Sequence, residues 1–90
     1  VEVWMTHIGG YPNNYNPSVR SALAANPPKL FITGHSHILK VMFDKKLNLL
    51  HMIPGAVGTY GLHTVRTMLP FEINEYTITN LEIIELEKRA

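Results

Sequence analysis

Three histidines carry the most legible side-chain chemistry in this 90-residue chain. His7 closes the run Val-Glu-Val-Trp-Met-Thr-His, while His35 and His37 follow Leu-Phe-Ile-Thr within Gly34-His35-Ser36-His37. Imidazole is the commonest metal-donating side chain, and an i, i+2 pair can aim at one small volume. H-x-H pairs are also frequent by chance, and two loop histidines satisfied by backbone or water are the plainer explanation. Context favours a metal. Gly34 permits a sharp turn at the carboxyl end of a strand, where α/β sheets hold their ligands. Positions 35 and 37 of an extended backbone point to the same side. His7 occupies a similar place, at the junction of an apolar strand with Gly9-Gly10. If the two strands are parallel neighbours joined by a right-handed crossover, the three imidazoles converge. Each then keeps a second ring nitrogen to donate to a backbone carbonyl.

The other two histidines read as structural. His51 alternates with Leu49 and Ile53 on a strand, and His63 in Gly61-Leu62-His63 has no partner in sequence. Tyr11, Tyr15 and Tyr60 sit in loops near the histidines, where they line a substrate mouth or simply pack half-buried. Asp44 is read as a turn residue. Glu72, Glu75, Glu82, Glu85 and Glu87 form the solvated face of the last hairpin, so no paired acid and base emerges.

The elements that must position these groups follow from periodicity and punctuation. Residues 1–6 read as a buried strand, and Gly9 to Asn16 as a loop rich in Gly, Pro and Asn. Asn16 suits a helix N-cap and Pro17 the first helical position. Val19, Ala22 and Leu23 share a face, and Asn26-Pro27-Pro28 stops the helix. Leu30–Thr33 is a short apolar strand buried on both faces. Leu39 to Ile53 alternates as a hairpin turning at Asp44-Lys45-Lys46, and Pro54-Gly55 opens a tight loop. Thr64 to Ile73 reads as one long strand, with Pro70 demanding an edge or a bulge. A two-residue turn at Asn74-Glu75 leads into a last strand from Tyr76 to Leu86. The fold class is α+β: two buried strands joined by one helix, then antiparallel hairpins.

Composition narrows the functions. At 46% hydrophobic and 17% charged residues the chain is globular rather than disordered. A net charge of +1 leaves no nucleic-acid footprint, and the basic residues are dispersed apart from Lys45-Lys46 and Lys88-Arg89. The absence of cysteine removes disulfides, thiolate zinc sites and cysteine catalysis, and fits a cytoplasmic location. No apolar run reaches membrane-spanning length, so no membrane partner is expected. No P-loop or dinucleotide fingerprint is present.

A strand ending in Thr6-His7, a strand ending in Gly34-His35-Ser36-His37, and a hairpin leading to Pro54-Gly55 together resemble the C-terminal half of a calcineurin-like metallophosphoesterase. The resemblance is nearest to the small bacterial phosphodiesterases of that superfamily. It implies the C-terminal half of a four-layer αββα sandwich, with residues 1–90 as the later part of one domain whose N-terminal half is absent. His7 and His35 resemble ligands of the second metal of a dinuclear centre, and His37 a ligand of the first. The implied cofactors are two divalent ions (Mn, Fe, Zn, Ni or Co), and the implied substrate is a small phosphate ester. The bridging Asp and the histidine that protonates the leaving group belong to the absent half, so this chain alone is expected to be inactive. Ile53 precedes Pro54-Gly55 where relatives often carry Asn. Non-catalytic scaffolds of the same superfamily, and a mononuclear His₃ zinc protein, are the alternatives. Unpaired strand edges imply self-association.

Overall fold

The first apolar run forms β1 (Val3–Thr6), followed by a miniature hairpin of β2 (Gly10–Tyr11) and β3 (Asn14–Tyr15). The hairpin turns through Asn13, whose φ of 72° is the left-handed conformation that asparagine tolerates. The segment expected to be wholly loop therefore carries a local backbone ladder.

Helix α1 (Pro17–Ala25) starts and stops where its punctuation requires. The Asn16 side chain accepts from the Ser18 amide at 3.0 Å and the Ser18 hydroxyl at 2.8 Å, satisfying one orphan donor of the first turn. At the other end the Asn26 N–H returns to the Ala22 carbonyl at 3.1 Å, and Pro27 follows. Leu23 is the fully buried residue of the helix and Val19 packs partly behind it.

Strands β4 (Leu30–Thr33), β5 (Lys40–Asp44) and β6 (Leu49–Ile53) complete a four-stranded sheet in the order β1-β4-β6-β5. β1 runs parallel to β4 with Val3 opposite Leu30 and Thr6 opposite Thr33. β6 runs parallel to β4 and antiparallel to β5. The sheet is thus mixed: the hairpin does not stand apart from the two earlier strands but adds β6 to them. Tyr15, Leu23, Phe31 and Leu49 form the core, with Trp4, Val19 and Leu47 packed against it.

Three expectations are corrected. β1 is buried on one face only: Trp4 packs against the core, while Val3 and Met5 on the other face are 37% and 73% exposed. Asp44 does adjoin the expected turn, but it ends β5 and is 6% exposed, so it belongs to the interior and not only to the turn. The two long strands are each broken in two. β7 (Val65–Met68) and β8 (Glu72–Ile73) are separated around Pro70, which has no N–H to give a ladder. β9 (Ile78–Thr79) and β10 (Ile84–Glu87) are separated beyond Asn80 at φ 54°. β7 pairs with β10, and β8 with β9 across a four-residue turn, Asn74 to Thr77, rather than the expected two.

The computed structural model describes residues 1–87, so the basic pair Lys88-Arg89 lies outside the described residues. Among them no helix is long and apolar enough to cross a membrane.

Candidate metal centre

The parallel register that sets Thr6 beside Thr33 brings the carboxyl ends of β1 and β4 level. The Gly34 amide locks them there, lying 3.2 Å from the Thr6 carbonyl and 2.9 Å from that of His7. His7 and His35 extend from these two ends, and their ring centres are 5.2 Å apart with planes at 83°. Both side chains are exposed, so neither is consumed by core packing.

The sharp turn is made by His35, not by Gly34. His35 has φ 68°, and the Ser36 amide donates back to the Gly34 carbonyl at 2.8 Å, closing a γ-turn around it. A left-handed histidine is a strained arrangement of the kind that gathers at functional sites. It also breaks the extended path from 35 to 37. His37 packs against His63 instead, with ring centres 5.2 Å apart and planes at 88°. Among the described residues no three histidine, aspartate or glutamate side chains form a cluster able to hold an ion. The structure therefore arranges the candidate ligands as a His7–His35 pair and a separate His37.

Two cavities flank these groups. One, of about 180 Å³, is lined by Ile8, Gly9, Tyr11, Gly34, His35 and Ile53 among others. The other, of about 240 Å³, lies against His37 and His63 and reaches Thr64, Thr67 and Glu85. Tyr11 thus lines the space beside His35. Its hydroxyl accepts from Asn14 at 3.0 Å, and the Lys40 ammonium sits 5.5 Å from its ring centre. Tyr60 is 92% exposed and Tyr15 is in the core, so neither lines these cavities.

His51 is the packed histidine its alternation implies. It is fully buried, pairs with the Thr33 hydroxyl through Nε2 at 3.0 Å, and stacks near Phe31 at 5.6 Å. Its buried Nδ1 has no hydrogen-bond partner. Burial holds its pKa below the ordinary histidine value.

Two features were not visible in the sequence. One is the contact of His63 with His37, for which the only signal is the run of glycines at 55, 58 and 61 on the approach to His63. The other is the buried pair of Tyr15 and Asp44. Burial, then the hydrogen bond to Asp44 and its negative charge, push the Tyr15 hydroxyl well above the usual tyrosine range. For Asp44, burial alone would raise the pKa. Hydrogen bonds from Tyr15 and from the Leu47 and Lys46 amides, with the Lys46 charge, outweigh it and hold the carboxylate below its usual range.

The family model of the calcineurin-like phosphoesterase superfamily domain matches residues 1–76. Among solved structures the chain is similar to Vacuolar Protein Sorting 29 from Cryptosporidium parvum, at 16% identity and a TM-score of 0.40. That match covers 81% of this chain and 45% of the other, so this chain spans less than half the length of that structure. No curated protein matches. Strand-end histidines and a family match over most of the sequence agree: the chain belongs to the calcineurin-like phosphoesterase superfamily.

Proposed function

We propose that this chain supplies the histidine side of a two-metal phosphoesterase centre, with His7 and His35 serving one ion and His37 the other. The observation that carries the reading is the right-angled pair of imidazoles at the ends of two adjacent parallel strands. Two imidazoles on one tetrahedral ion, at nitrogen–metal distances of about 2.0–2.1 Å, set their ring centres about 5 Å apart. His7 and His35 have that spacing without rearrangement. The γ-turn at His35 supports the same reading, since its strain serves no evident packing purpose for an exposed ring.

The donor set also fits in kind. Imidazole nitrogens suit Mn, Fe, Zn, Ni or Co, and a pair leaves positions for other ligands. The remaining ligands, carboxylates above all, and the leaving-group acid come from outside residues 1–90, in the other half of a four-layer sandwich. When bound, such ions activate water and neutralise charge on phosphoryl oxygens of a small phosphate ester. The chain's own residues orient and shape. β1 and β4 fix the separation of His7 and His35, and the Gly34 amide ties the two strand ends together. Tyr11, braced by Asn14, walls the space beside His35 and limits what can approach it. A cytoplasmic hydrolase, phosphodiesterase or phosphatase, is the corresponding role of the whole protein.

Metal titration of the chain tests this. Zn²⁺ should shift the imidazole resonances of His7 and His35 together, along one titration curve, and His7→Ala should weaken the response of His35 at least tenfold. Hydrolysis of bis-p-nitrophenyl phosphate by the isolated chain should be undetectable. Independent responses of His7 and His35 to the metal would overturn the shared-ion reading.

A further inference from the structure

The His37 imidazole is exposed, yet it has close neighbours. On one side stands His63, only 3% exposed, with its ring edge-on at 5.2 Å and 88°. His63 is itself anchored: its Nε2 lies 2.9 Å from the Gly58 carbonyl. A carbonyl only accepts, so the proton of that bond sits on Nε2 and the tautomer is fixed. Beside both rings lies Gly61, at φ +125°, a conformation in which a side chain is strained. A methyl group there would overlap the His37 imidazole and come within 3.0 Å of His63 Nδ1. The loop from Gly58 to His63 thus approaches His37 with one ring and one bare backbone.

From this we infer that His63 is a positioning residue for His37, holding the His37 ring in one orientation before any ligand arrives. An exposed histidine ordinarily samples several rotamers, and fixing one of them removes an entropic cost from whatever it binds. Groups that orient metal-binding histidines are worth about 10–100-fold in affinity where they hydrogen-bond the ligand ring itself, and a ring contact such as this one falls at the low end. The reason for holding His37 rests on the metal-centre reading above; the holding itself does not.

The experiment uses the full chain and reads two quantities. The first is the order of the His37 ring in the metal-free protein, from ¹³C relaxation of its ring carbons. The second is the Zn²⁺ concentration that half-saturates the His37 response. The ring should be ordered in the wild type, mobile in His63→Ala and ordered again in His63→Phe, which restores the flat wall. Zn²⁺ affinity at His37 should fall about tenfold in His63→Ala and recover to within about threefold in His63→Phe. A wild-type His37 ring as mobile as that of Tyr60 would overturn the inference without any variant. An unchanged ring order in a natively folded His63→Ala would do the same. An ordered His37 that depends on His63 but ignores Zn²⁺ would uphold the positioning, since the other ligands of that ion are assigned outside residues 1–90.

Discussion

The Tyr15 hydroxyl donates to Asp44 Oδ2 at 2.6 Å, joining residues 29 apart in sequence. Both are buried, and the same carboxylate accepts the Lys46 and Leu47 amides through Oδ1 at 2.9 and 3.2 Å. One carboxylate therefore closes the turn of the β5–β6 hairpin and pins the segment that follows His7.

Tyr15→Phe keeps the ring in the core and deletes the donor. A hydrogen bond to a charged group contributes about 1.5–3 kcal/mol, and its loss leaves a buried carboxylate lone pair unmet. Folding stability should drop by about that amount in urea unfolding, and Asp44 should titrate closer to the ordinary aspartate range. An unchanged Asp44 titration would contradict the coupling.

His51 makes the chain acid-sensitive. Burial lowers its folded-state pKa, so below about 6.5 the unfolded chain takes up a proton that the folded chain refuses. Stability is then lost as pH falls through that value, and the loss ends once the pH is below the folded pKa. Urea midpoints at pH 7.5 and 5.5 should differ in the wild type and converge in His51→Phe. An equal pH dependence in the two proteins would assign the sensitivity elsewhere.

Gly55→Ala should destabilise by about 1–3 kcal/mol through strained backbone. Gly55 has φ +79°, and an added methyl would overlap the Thr67 hydroxyl, which donates to the Pro54 carbonyl at 2.8 Å. The same methyl would crowd the Leu39 amide at 3.1 Å, so amide protection of Leu39 and Thr67 should fall together in hydrogen exchange.

The β1 edge should drive self-association. Val3 and Met5 are exposed on an edge strand that has a neighbour on one side only among the described residues. Such edges recruit further strands unless charged or covered. Sedimentation velocity should show concentration-dependent association that Met5→Lys suppresses. A monomer at the highest attainable concentration would count against it.

The sequence exposed what is local. Asn16-Pro17 and Asn26-Pro27-Pro28 bound the helix, and uninterrupted apolar runs marked β4 and the parallel pair that levels His7 with His35. What stayed hidden depends on distant partners or on a single dihedral angle. Asp44-Lys45-Lys46 has the composition of a solvated turn, and only Tyr15, brought up by the β2–β3 hairpin, makes Asp44 a buried residue. H-x-H reads as a same-side pair only while the backbone is extended, and the left-handed His35 ends that condition. Pro70 was legible as an interruption, and the hairpin that it breaks keeps the same two arms, with β8 on β9 near the turn and β7 on β10 beyond the gap.

The level register of β1 and β4 also constrains how this chain can change in length. Side chains alternate faces along a strand, so one residue added within Val3–Thr6 would turn His7 to the opposite side and dissolve its pairing with His35. Residues added in the exposed part of the crossover, away from the buried Pro28, would be absorbed by the connection and leave both strand ends in place. Insertions and deletions are therefore tolerated in the crossover and forbidden in the strands, and the distance along the chain from His7 to His35 is free to drift while their distance in space is not.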